Sequence, residues 1–179
     1  EYSVISYGRK IREDVYGDFG VNHSPIIGWA NDGNPIYGGF ALSDPKDADS
    51  EIKAMQTAYV LDIDSINGRP SQIDFPSGIF IDDFVFTGEG DLDEYNGRYG
   101  RTPDFPNGVY AYFAGISTDT TSVERAPEFP YFIGPEFRDA PFAQDESGVS
   151  QSFSFADKPV FRNTQPYAVG SPTVGSEFL

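Results

Sequence analysis

The chain has 179 residues, enough for one domain built around a single core. Its 28 acidic against 12 basic residues leave a formal net charge of −16, which argues against nucleic acid or anionic lipid as a partner. No cysteine is present, so disulfides and thiolate chemistry are excluded, and no apolar run approaches the ~20 residues of a membrane span.

Sixteen Phe and 11 Tyr stand against one Met, a balance that favours aromatic-packed β-structure over a helical bundle. Residues 1 to 20 alternate apolar Tyr2, Val4 and Tyr7 with charged positions and read as an N-terminal arm or entry strand. Residues 21 to 42 read as a β-hairpin turning at Asp32-Gly33, and they hold the only His (His23) and the only Trp (Trp29). The polar connector Asp44 to Ser50 precedes an expected short helix over Ile52 to Leu61, with Asp49 or Ser50 as N-cap and Ile52, Met55 and Tyr59 on one face.

From Tyr59 to Phe86 the pattern returns to strand: Tyr59, Leu61 and Ile63 alternate, as do Ile79 and Ile81, before Phe84-Val85-Phe86. Gly88-Glu89-Gly90 breaks the chain, and Asp91 to Asn107 reads as an acidic, Gly-bearing loop. Val109 to Ile116 is a strand with both faces apolar or aromatic, which places it centrally in a sheet. Phe129 to Ile133 reads as a second aromatic strand pairing with it, stopped by Gly134-Pro135. Residues 139 to 179, rich in Ser, Pro and Gly, read as an extended C-terminal tail that lays Phe142, Phe153, Phe155, Phe161, Tyr167 and Phe178 onto a surface outside its own domain. The chain reads as a segment of a longer polypeptide. The expected fold class is thus mainly β: a compact antiparallel sheet or sandwich with one short helix, long ordered loops and that tail.

Three constellations bear on chemistry. His23, with Asp32 and the Asp91 to Asn96 loop, admits an enzymatic or metal-binding reading, although no Gly-x-Ser-x-Gly elbow accompanies it. Its structural alternative is a histidine bonded to loop backbone beside Trp29. Asp91, Asp93 and Asn96, followed by Gly97 free to turn left-handed, have the oxygen-rich spacing of a Ca²⁺ or Mg²⁺ loop. Thr102 stands where an EF-hand needs its twelfth-position Glu, so an EF-hand is excluded; the competing reading is a turn in which Asp91 and Asn96 cap amides. Tyr110, Tyr112, Tyr131, Phe113 and Phe132 could stack a host surface glycan, or else form core.

Three strings carry a resemblance. His23-Ser24-Pro25-Ile26-Ile27-Gly28 with Asp32-Gly33-Asn34-Pro35-Ile36-Tyr37-Gly38, then Leu92-Asp93-Glu94-Tyr95-Asn96-Gly97, then Phe129-Pro130-Tyr131-Phe132-Ile133-Gly134-Pro135 resemble the YHYH family from about Val21 to Arg138. The resemblance thus marks 21–138 as the domain. The naming motif reads Tyr110-Ala111-Tyr112-Phe113, so both of its histidines are replaced. This variant is similar to copies embedded in structural proteins of tailed cyanobacterial phages. The resemblance implies a non-enzymatic virion domain of the tail, baseplate or fibre, partnered by copies of itself or other virion proteins. A receptor-binding domain and an extracellular structural protein remain alternatives on the residues alone.

Overall fold

A computed structural model describes residues 8–64, 68–118 and 126–140. The architecture is mainly β, as expected. The hairpin turns where the sequence placed it but is shorter than the expected 21 to 42: β1 (Ile26–Trp29) pairs antiparallel with β2 (Pro35–Tyr37) around a turn that includes Asp32 and Gly33. Gly33 has φ +83, a conformation any β-carbon would strain, and Ala30 closes the turn with bonds to Asn34 and Gly33. A bulge between Ile26 and Gly28 interrupts the ladder.

Strand β3 (Phe40–Leu42) follows at once and pairs antiparallel with β4 (Ile52–Ala54). The short helix expected over Ile52 to Leu61 is therefore absent. Ser50, its intended cap, instead donates to Asp47 O within the connector, and Met55 N continues the ladder by bonding Gly39 O. Three apolar residues at helical spacing are too few to outweigh a strand partner supplied by the tertiary fold. The one α-helix among the described residues is α1 (Arg9–Asp14), inside the expected N-terminal arm. Its Arg, Lys and Glu are good helix formers, and Arg9 pairs with Glu13 one turn on at 2.9 Å.

Strands β5 (Tyr59–Leu61) and β6 (Phe84–Phe86) form a separate antiparallel pair. Ile79 and Ile81 do not continue it; a 3₁₀ turn occupies Ile81–Asp83. The stretch read as a loop from Asp91 contains β7 (Gly97–Gly100), which pairs antiparallel with β8 (Val109–Phe113). Gly97 permits that approach: an added β-carbon would lie 2.7 Å from Ala111 O and closer still to the Tyr110 hydroxyl. Sheet order is β1-β2-β8-β7, with β2 and β8 parallel, so the principal sheet is mixed and β8 is interior as its two apolar faces required.

The expected strand at Phe129 to Ile133 is a turn, in which Tyr131 takes φ +70. Pro130 offers no N–H for a ladder, and contact with the segment after β8 shrinks to an Ile116–Pro127 bridge and a Gly115 N–Tyr131 O bond. Tail residues Phe142, Phe153, Phe155, Phe161, Tyr167 and Phe178 lie outside the described residues, as do Tyr2, Val4 and Tyr7. Asp139, where the tail was expected to begin, bonds its own domain through Asn34.

Candidate functional site

Strand β8 presents two chemically different faces. Tyr110 and Tyr112 point one way, into a cluster with Ala30; Ala111 and Phe113 point the other, against Tyr37, Ala41, Met55 and Leu92.

On the tyrosine face, the Tyr112 hydroxyl donates to Asp32 and accepts the Arg138 N–H at 2.8 Å. Asp32 also accepts the Asn34 N–H at 3.1 Å and its Nδ2 at 3.0 Å, and that same Nδ2 reaches Asp139 at 2.9 Å. Burial works against ionisation of Asp32, but the bonds from Tyr112 and Asn34 outweigh it and hold its carboxyl below the usual range. Tyr110 donates to both oxygens of Asp93, at 2.9 and 3.0 Å, beneath the Arg138 guanidinium 4.4 Å from its ring centroid. Burial first, then the neighbouring carboxylates, push both phenols well above their ordinary range. These tyrosines are therefore permanent donors, and they bolt the β1–β2 turn, the Asp93 loop and the 138–139 segment to one strand. Being at most 5% exposed, they offer no surface on which a sugar could stack.

On the opposite face lies His23. Its Nδ1 sits 2.8 Å from Ser24 O, which only accepts, so Nδ1 carries the proton and Nε2 is a bare acceptor. Among the described residues, that Nε2 is buried without a hydrogen-bond partner. The ring packs edge-on to Tyr37 at 4.9 Å and tilted to Phe113 at 6.1 Å; Trp29 ends β1, half-buried. Burial lowers the His23 pKa below 6.5, so the imidazole is neutral at neutral pH. Beneath it, Tyr37 is fully buried and donates to Asp104 at 2.9 Å; its single proton being so used, the 2.9 Å contact with Thr102 has the threonine as donor. A cavity of about 620 Å³ opens beside His23, lined by residues 16–19 and 21–26 with Pro103 and Asp104.

Of the three residues of the proposed cation loop, Asp91 and Asp93 face protein donors, whereas the Oδ1 of Asn96 is buried without a hydrogen-bond partner among the described residues. Asp91 bonds Lys53 Nζ at 2.6 Å and Gln56 N at 2.9 Å. Asp93 caps the amides of Tyr95 and Gly97, both at 3.0 Å, besides holding Tyr110. Asn96 is fully buried at φ +63, so the left-handed position assigned to Gly97 belongs to Asn96. Its Nδ2 donates to Phe113 O at 2.8 Å and Phe132 O at 3.1 Å. Among the described residues, no three His, Asp or Glu converge as a metal shell. Tyr131 sits on the 128–134 turn, 40% exposed, away from the other two tyrosines' network.

Sequence reasoning missed the Tyr37–Thr102–Asp104 chain, the Asn34–Asp139 contact and the Arg69–Asp83 pair (2.6 Å, Asp83 fully buried). Each joins residues 14 to 105 positions apart, and no local pattern announces such pairings. Only the Asn96-Gly97 dipeptide carried a usable sign, since Asn tolerates left-handed backbone.

The YHYH protein family model matches residues 14–125, and the chain belongs to that family. No curated protein and no solved structure matches the chain. The matched span contains His23 and the Tyr110–Phe113 motif; the turn at 128–134 and the Arg138–Asp139 anchor lie outside it.

Proposed function

We propose that this YHYH-family domain is a structural module that acts by assembly and turns over no substrate. One observation carries the reading: the β8 face on which the family's naming motif puts its histidines is filled by Ala111 and Phe113, packed into core with Tyr37, Met55 and Leu92. His23, the remaining imidazole, is neutral and commits its proton to a backbone carbonyl, with no carboxylate in its hydrogen bonds. An imidazole whose Nδ1 proton is held by Ser24 O and whose ring packs on Tyr37 and Phe113 supports a packing role.

The similarity of the Tyr110-Ala111-Tyr112-Phe113 variant to copies in tailed cyanobacterial phages supports a finer reading: a virion domain of the tail, baseplate or fibre, contacting other subunits of the particle. The test is immunogold labelling of purified particles with antibody raised against the 179-residue chain, alongside the His23→Gln variant in the same particle. Wild type and His23→Gln should both be incorporated. A chain found only in the unassembled fraction, or a defined substrate consumed by wild type and not by His23→Gln, would overturn the proposal.

A further inference from the structure

The β5–β6 pair stands apart from the principal sheet, and among the described residues each of its strands pairs only with the other. One face is covered in part: Phe129 stacks on Phe84 at 4.1 Å and meets Tyr59 edge-on at 5.3 Å, while Leu61 and Phe86 on the same face stay 51% and 38% exposed. The other face carries Val60 and Val85, register partners, 46% and 37% exposed. From Arg69 to Asp83 the connection between the strands is pinned by side-chain bonds. Arg69 grips Asp83 with two bonds, 2.6 and 2.8 Å, and donates to the carbonyls of Pro70, Phe75 and Pro76; Gly78 N closes on the same carboxylate. The arm is therefore built, yet eight of the fourteen large exposed hydrophobics among the described residues lie on it, with Ile73, Ile81 and Ile79 at 93%, 63% and 59%. A monomer seldom holds so much apolar surface open to water without a partner for it.

Charge decides the kind of partner. Between Ala58 and Gly90 the single basic residue is Arg69, already bound to Asp83, while Asp64, Asp74, Asp82 and Glu89 are exposed carboxylates. A second copy laid on this arm would bring the same carboxylates against themselves, and anionic lipid or nucleic acid would be repelled likewise. We infer that the β5–β6 arm docks a segment of another protein in which apolar residues alternate with Lys or Arg. Such a segment adds along the open strand edge, apolar side chains on Val60, Val85 and Ile81, cations beside Asp74 and Asp82.

The inference deepens the assembly reading by giving the contact a partner chemistry. Its test uses the whole 179-residue chain and a fluorescent ten-residue peptide alternating Lys with Val and Ile, beside a counterpart with Glu for every Lys. Fluorescence anisotropy should show saturable binding of the Lys peptide, weakened at least tenfold in Ile81→Ser/Val85→Ser and in Asp74→Asn/Asp82→Asn, and weakened by salt. The Glu peptide should not bind. Ile81→Ser/Val85→Ser binding as wild type does would reduce the effect to charge alone and overturn the inference. Equal binding of both peptides would overturn it in favour of apolarity alone. Sedimentation showing wild-type self-association that Ile81→Ser/Val85→Ser abolishes would make the occupant a second copy. Particle labelling reports separately: peptide binding by a chain absent from particles keeps this site and sinks the virion reading.

Discussion

Asn96 is the residue at which two explanations of the Asp91 to Asn96 loop part company. Its Nδ2 holds the carbonyls of Phe113 and Phe132, tying the β7 entry to the end of β8 and to the 128–134 turn. Its backbone sits at φ +63 and its side chain is fully buried. Removing two such bonds costs about 1 kcal/mol each. Holding an alanine left-handed adds about 1–2 kcal/mol. Asn96→Ala should therefore lose about 3–4 kcal/mol, and Asn96→Gly, free of the backbone term, about 2 kcal/mol. Asn96→Asp is the informative change, because it presents an acceptor, charged and buried, to two carbonyl oxygens, and should cost more than the alanine. Urea unfolding monitored by far-UV circular dichroism, with and without Ca²⁺, measures all three. A calcium loop predicts the reverse order, since an added carboxylate strengthens cation binding and Ca²⁺ would restore Asn96→Asp. Asn96→Asp as stable as wild type, or rescued by Ca²⁺, would refute the hydrogen-bond account; equal losses for alanine and glycine would refute its backbone part.

Two pH dependences follow from the buried groups. The folded pKa of His23 lies below its ordinary 6.5, so as pH falls through 6.5 the unfolded chain takes up a proton that the folded one refuses, and stability declines; His23→Gln should abolish that decline in urea midpoints measured between pH 7.5 and 5. The Arg69 pair, aided by the Phe80 and Gly78 amides, holds Asp83 far below its ordinary 3.8, so its contribution is complete above that value and is lost as pH falls further toward the folded pKa. Limited proteolysis should accordingly spare the 68–83 connection down to about pH 3 and open it only on further acidification, while Asp83→Asn should be cut there already at pH 7; an Asp83→Asn connection as resistant as wild type at pH 7 would show that the ion pair does not organise the arm.

Much of this molecule was legible in its residues. Composition announced β-structure, Asp32-Gly33 announced the first turn, and the two apolar faces of Val109 to Phe113 announced an interior strand, because turn chemistry and two-residue alternation are local properties of a strand in water. Of the strings that carry the resemblance, His23 to Gly38 lies in such a stretch, whereas Phe129 to Pro135 reads as a strand and folds as a turn. What the tertiary structure alone decided was the use of ambiguous or isolated groups. Ile52 to Ala54 became a strand because β3 was there to pair with it, and α1 formed in a stretch whose alternation suggested an arm. Asp93, readable as a cation ligand, spends its oxygens on two amides and the Tyr110 hydroxyl. Asn96 spends its amide on carbonyls 17 and 36 residues away. A carboxylate or amide has the same intrinsic chemistry wherever it stands, and which donor or acceptor meets it depends on chain segments that only folding brings within about 3 Å.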